Sequence, residues 1–333
     1  MADADDPVDA PETLSRAAHR QALDASAGAG GFLRDVGESH LALMRRSGPN
    51  LLVSFEDLDA VRSSPGGLPW SAGPARKRNY STLTIMADGR TWFRDRKLFD
   101  FFDELTDDGF FDEFDTVVFA GGGIGAYAAG AFSVASPGAL VFLAQPYATL
   151  DRDVTPWEHR FRSSRAMSFG PRYGNAADLI DAAAKVFVVT DPTRATDAMH
   201  ASLFRGDHVI RLPAAHAGGD IWGALARIGI LDRLVAMAGN DALDTNGFAE
   251  LWRRRRNDAD YLAGLMRKLD RTDRPWLQAL LAGHILHHQG DNPAARRRLN
   301  DALARLAERG RDAPPGLSPT RPDGGTAMLL AGE

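Results

Sequence analysis

Cysteine is absent from all 333 residues, which excludes disulfides, thiolate metal ligands and thiol catalysis. A basic excess is lacking too. The 39 Lys and Arg against 44 Asp and Glu leave a net charge of −5, so no basic surface is spare for nucleic acid or anionic lipid. No apolar run approaches the roughly 18 residues that cross a bilayer, so no membrane span is expected. The opening "MADADDPVDAPETLSRAAHR" has neither a basic start nor an apolar stretch. No secretory signal is read there, and the expected location is cytoplasmic. A Ser-Gly-Gly-x-Asp-Ser pyrophosphate loop is also missing, and no cofactor is expected. What remains is an ordinary globular composition, 44% hydrophobic, long enough for one full-sized core and a smaller appendage.

Residues 1–31, rich in Ala, Asp, Pro and Gly, read as a disordered lead-in, and the Pro- and Gly-rich residues 311–333 as a disordered tail. Between them, strand and helix signals alternate. Short apolar strands are expected at about 50–56, 80–87, 115–120, 139–144, 185–190 and 208–212. Helices are expected at 96–111, 125–135, 176–184 and 195–204. Leu98, Phe101, Phe102 and Leu105 share one face of the first of these helices. Strands that are wholly apolar, rather than alternating, suit a parallel sheet covered on both faces. The fold class is therefore α/β, a doubly wound, mostly parallel sheet over about 45–237. A small all-α region follows over 240–310. Its "WLQALLAGHILHHQGDNPAARRRLNDALARLAERG" reads as helix, "GDNP" turn and helix. On a 34-residue frame Gly283 takes the small helix-crossing position, with Ala295, Leu299 and Ala302 at further packing positions. In this the segment resembles one tetratricopeptide repeat.

The most informative stretch is "FDTVVFAGGGIGAYAAGAF", a strand that ends in glycines and turns helical. A dinucleotide-binding turn would use Gly121, Gly123 and Ala126, and a methyltransferase turn Gly121, Gly123 and Gly125. Both need an acidic residue ending the next strand, where this chain has Ala144 and Gln145. Two strands also precede a turn that belongs after the first. Gly121-Gly122-Gly123-Ile124-Gly125-Ala126-Tyr127-Ala128-Ala129 instead resembles the nucleophile elbow of the α/β-hydrolase superfamily, often Gly-Ser-Ser-Met-Gly-Gly-Tyr-Ala-Ala. The resemblance implies an α/β-hydrolase-like fold over about 45–237 and places the nucleophile at Gly123, which has no side chain. No acyl-enzyme can form there.

The same resemblance places the base at His216, in the loop after the last strand. For the acid, the usual spacing falls at Thr193 or Arg194, and Asp191 and Asp197 are the alternatives. Asp197 can equally be read as a helix-start residue. The candidate catalytic remnants are thus His216, Asp191 and Asp197, with Gly121, Gly122, Gly123, Ile124 and Trp157 as binding candidates. Trp157 lies in "WEHRFRSSR", where these hydrolases insert a lid. His284, His287 and His288 lack an accompanying carboxylate, and no metal site is expected. The four arginines of "WRRRRND" would point all round a helix and read as solvated. The expected function is a non-catalytic binding or scaffold protein, a pseudo-hydrolase. Its partner would be a small acyl or ester ligand, or a protein met through the C-terminal helices. Two alternatives stand beside it: hydrolysis of an ester or acyl substrate by His216-activated water, and nucleotide binding at the glycine turn 121–125.

Overall fold

Eight strands form one sheet in the computed structural model, in the order β1-β2-β4-β3-β5-β6-β7-β8. They are β1 (Phe32–Val36), β2 (His40–Arg45), β3 (Asn50–Asp57), β4 (Tyr80–Ala87), β5 (Thr116–Gly122), β6 (Leu140–Ala144), β7 (Lys185–Thr190) and β8 (Val209–Pro213). The structure describes residues 14–73, 78–170 and 172–318. β2 runs antiparallel to both β1 and β4, and every other pairing is parallel. With the sharp strand-to-helix turn after β5, this is an α/β-hydrolase fold.

The six strands expected from their apolar runs all lie in this sheet. β6 is buried at every position, and β5 and β7 are buried through their middles, as a sheet covered on both faces requires. The hairpin of β1 and β2 was not expected. Its sequence "FLRDVGESHLALMR" mixes charged and apolar residues because β1 is an edge strand, exposed at Arg34 and Asp35.

The lead-in expected to be disordered contains a helix, Arg16–Ala27, capped by Ser15 and buried at His19, Leu23 and Ala27. Composition hides it, because only these three residues face the core. Residues 1–13 of that lead-in lie outside the described residues. The expected helix over 176–184 is shorter: one α-turn, Ala176–Leu179, continues as the 3-10 turn Ile180–Ala182.

The helix Arg96–Asp107 buries Leu98, Phe101, Phe102 and Leu105, the face its spacing marks, and Asp95 caps its start by accepting from the Lys97 amide. Phe102 meets Phe132 at 4.4 Å between ring centroids, and Phe132 stacks on Tyr173 at 4.4 Å. Each such buried ring contributes about 1.5–3 kcal/mol. This cluster fixes the helix Ile124–Phe132 against the sheet, and with it the turn that opens that helix.

The chain divides into two compact units, Met1–Leu251 and Trp252–Glu333. The first therefore extends beyond residue 237, through the helix Leu231–Gly239 that packs on β5 and β6. The second contains the helices Ala259–Asp270, Pro275–Gln289 and Pro293–Glu308. The last two form a hairpin turning at Gly290 to Pro293, with Asn292 capping through the Ala295 amide. Ala279, Ala282 and Ile285 pack with Ala295, Leu299, Ala302 and Leu306. Gly283 does not mark the crossing of these helices: a Cβ there would fall 2.5 Å from Leu317 Cδ2, so its bare backbone seats the segment after the hairpin. Eight residues of the expected disordered tail, 311–318, are described, and Leu317 packs on the hairpin core; the rest lies outside the described residues. Among the described residues no helix is long and apolar enough to cross a membrane.

Candidate functional site

Gly123 has φ 56° and ψ −116°, a conformation that L residues rarely adopt, and it heads the helix Ile124–Phe132. Its N–H still donates to the Ala144 carbonyl of β6 at 2.9 Å, so the turn begins only after the sheet ladder has been used. The glycines around it have distinct reasons. A Cβ on Gly121 would lie 2.3 Å from the Gly125 carbonyl oxygen, and one on Gly125 would lie 2.3 Å from that of Phe55. On Gly122 it would meet the Trp222 side chain at 2.4 Å. Gly123 alone of the four has room: its Cβ would meet only Tyr147 Cε2, at 3.9 Å. The turn is thus shaped to present a side chain that the residue lacks. Gly121→Ala and Gly125→Ala are each expected to lower stability by about 1–3 kcal/mol, because the clash is with backbone that cannot swing away. Denaturant midpoints check this, and an unchanged midpoint for either would show the turn to be looser than described.

Asp191, directly after β7, is buried, and its carboxylate ties two loops together. Oδ1 accepts from the Thr193 amide at 2.9 Å, the Thr193 hydroxyl at 2.7 Å and the His216 amide at 3.0 Å. Oδ2 accepts from the Gly218 amide at 3.2 Å. Burial opposes ionisation of Asp191, but these hydrogen bonds outweigh it and hold the carboxyl below its ordinary value. His216 has φ 64°, and Asp191 grips its backbone. The structure therefore brings Asp191 and His216 together across the ends of β7 and β8.

Asp197 has other partners. Its Oδ1 accepts from Arg160 Nη1 at 2.5 Å, and its Oδ2 from Gln145 Nε2 at 3.0 Å and Arg194 Nε at 2.8 Å. It belongs to a buried charged network that sequence reasoning missed. Arg160 also reaches both oxygens of Glu158, through Nε at 3.1 and 3.0 Å and Nη2 at 2.6 Å. Glu158 Oε2 lies 3.1 Å from His200 Nε2. His200 Nδ1 accepts from the Ala148 amide at 3.2 Å, which puts the ring proton on Nε2 and makes it the donor to Glu158. Burial pushes His200 down to about 4, leaving the ring neutral. Burial also opposes ionisation of Glu158, yet Arg160 and His200 together bring it down to about 2.

Trp157 sets its ring edge-on to His200 at 4.6 Å, so this binding candidate is placed over the network. Tyr147, next to the open space at Gly123, joins the network to the elbow. Its ring lies 5.2 Å from that of His200 and 5.4 Å from the Arg160 guanidinium, and burial raises its phenol to about 12. Glu158 and His200 stand 42 residues apart, and no local spacing announces the pair.

Two acidic residues end β3, on the elbow's other side. Glu56 accepts from the Trp70 amide at 2.8 Å and the Ser54 hydroxyl at 3.0 Å, and burial pushes its carboxyl up. Asp57 caps the helix Leu58–Arg62 through the Ala60 amide.

In the second unit, His284 and His288 rings lie 4.2 Å apart, with His284 Nε2 at 2.7 Å from the Arg256 carbonyl. No cluster of three or more metal-ligating groups occurs among the described residues. The arginine run forms the 3-10 turn Arg253–Asn257, where Arg255 lies 5.2 Å from the Trp252 ring.

The sequence matches no protein-family model and no curated protein. Solved structures with a similar fold include EstE1, a thermophilic carboxylesterase cloned from a metagenomic library. It is 14% identical, with a TM-score of 0.41, over 69% of this chain and 100% of that one. The capsule O-acetyltransferase of Neisseria meningitidis serogroup A is 10% identical, with a TM-score of 0.40, over 62% and 95%. MPT51 of Mycobacterium tuberculosis is 17% identical, with a TM-score of 0.38, over 63% and 96%. The fold assignment itself rests on the strand order and the elbow.

Proposed function

We propose that this protein is a pseudo-hydrolase, an α/β-hydrolase-like binding protein that recognises a small acyl-type ligand without cleaving it. One observation carries the reading: residue 123 keeps the strained backbone and the open space of a nucleophile, and that residue is glycine. Gln145, directly after β6, has its side chain engaged by Asp197 and the Ile221 amide, which favours this reading over nucleotide binding, where a free acid would hold ribose.

The test is covalent labelling. Wild-type protein is expected to show no burst with activated esters and no adduct with a serine-directed fluorophosphonate, read by intact mass. Gly123→Ser is expected to fold at a cost of about 1–3 kcal/mol, because the conformation is strained for any side chain although the space is open. It is also expected to gain a fluorophosphonate adduct at residue 123, which His216→Ala in the same background removes. An adduct on the wild type at another serine, or ester turnover by the wild type, would overturn the non-catalytic reading. Turnover lost on His216→Ala would then favour water activated by that histidine.

A further inference from the structure

We propose that the outer face of the helix Pro275–Gln289 is a docking site for this chain's own apolar run Met328-Leu329-Leu330. The inference is independent of any reading of the elbow. Trp276, Leu277 and Leu280 are large hydrophobic residues left exposed on this helix, at 39%, 40% and 42%. Its buried residues, Gln278, Ala279, Leu281, Ala282 and Ile285 among them, take the opposite side. At about 3.6 residues per turn, Trp276, Leu280 and Gly283 fall in one row, and Leu277 flanks it. Single exposed side chains of this kind need no explanation, whereas a cluster marks an interaction surface.

The chain that arrives on this row indicates what covers it. A Cβ on Gly283 would fall 2.5 Å from Leu317 Cδ2 and 3.1 Å from its Cδ1, so Leu317 already lies against the helix in line with Leu280 and Trp276. Leu317 also packs on the hairpin core, which fixes the point of arrival. From Gly283, Leu280 is about 5 Å along the helix axis and Trp276 about 10 Å. Residues 319–333 read "PTRPDGGTAMLLAGE", and their one run of large apolar residues is Met328-Leu329-Leu330. Residues 318–327 link it to Leu317 and span up to about 35 Å when extended, so the run reaches the row with length to spare.

Tethering decides between occupants. A link of this length holds the run at roughly millimolar effective concentration, so a contact too weak to form between separate molecules forms within one chain. A second copy has no such help. Three partly exposed side chains supply only a small part of the roughly 1,200 Å² that a stable interface buries. The two leucines and the adaptable methionine match the apolar character of the row, and docking takes both surfaces out of water together.

The chain has no native cysteine, so a single Ala331→Cys carries a nitroxide beside the run. The readout is paramagnetic broadening of the Trp276 indole N–H in the full-length protein, measured against the reduced nitroxide. Trp276→Phe identifies that resonance among the six tryptophans. A tethered but undocked segment also causes some broadening, so the reference is the same labelled chain with Leu329→Ser and Leu330→Ser. Broadening is expected to be about threefold stronger in the chain that keeps both leucines. Leu280→Ser, whose fold a denaturant midpoint checks, is expected to reduce it to the level of the serine reference. Equal broadening with and without Leu329 and Leu330 would overturn the proposal. So would broadening that arises only when isotope-labelled chains are mixed with separate nitroxide-bearing copies, because the occupant would then be a second molecule.

Discussion

Arg160→Ala is expected to destabilise the first unit by about 3–5 kcal/mol, read from urea denaturation at neutral pH. The reason lies in what the guanidinium leaves behind. Glu158 and Asp197 are 0% and 1% exposed, and Arg160 is the residue that bridges them. Without it, Glu158 keeps the His200 N–H, and Asp197 keeps Gln145 and Arg194. Neither set repays the cost of holding a carboxylate out of water. The Arg160 side chain is 29% exposed, which lets some water reach the gap and favours the lower end of that range. A double substitution, Arg160→Met with Glu158→Gln, removes a charge of each sign and is expected to lose less than Arg160→Ala alone. A second readout separates this from simple loss of packing. With Arg160 gone, His200 faces Glu158 without a neighbouring cation, so the pKa of its imidazole is expected to rise from about 4. An Arg160→Ala protein with an unchanged midpoint and an unchanged His200 titration would show that the network contributes nothing.

How much of this was legible in the sequence depends on the kind of signal each residue leaves. The six apolar strands were legible because burial on both faces forces unbroken runs such as "ALVFLAQP". The elbow was legible because its constraints are local. Gly121 must be bare for β5 to meet its following helix, and Gly125 for that helix to approach β3, and both requirements fall within five residues. Asp191 and His216 were legible only through the resemblance to hydrolases, since their meeting depends on β7 and β8 being neighbours in the sheet. The edge hairpin of β1 and β2 was not legible, because an exposed edge strand carries charges that break the apolar pattern. Nor was the network of Glu158, Arg160, Asp197 and His200. Each member has an ordinary local reading, as lid residue or helix start, and only the fold brings them together.

Acid should unfold the protein in two stages that the titrating groups set apart. His200 has an ordinary value of 6.5, lowered to about 4 in the fold by burial. As pH falls from 6.5 toward 4, the unfolded chain therefore takes up a proton that the folded chain refuses. The unfolded state then binds more protons, so stability falls with falling pH, by roughly 3 kcal/mol across the window. Below about 4 both states are protonated at His200 and its contribution ends. Glu158 and Asp191 act next. Their carboxyls are depressed in the fold, Glu158 from 4.5 to about 2, so their stabilisation is present above 4.5 and lost as pH falls through the folded values. His19 and His40, also lowered by burial, contribute in the first window and would mask His200 in a wild-type curve. The difference between wild type and His200→Gln isolates it. Glutamine can offer an N–H to Glu158 and an oxygen to the Ala148 amide, but it cannot titrate. The stability of His200→Gln is expected to decline less steeply than wild type between pH 6.5 and 4, and in parallel with it below 4. Curves that stay parallel through the upper window would mean that His200 is protonated as readily in the fold as outside it. The Nε2 proton would then not be the only one on the ring, and the neutral-imidazole description of the network would be wrong.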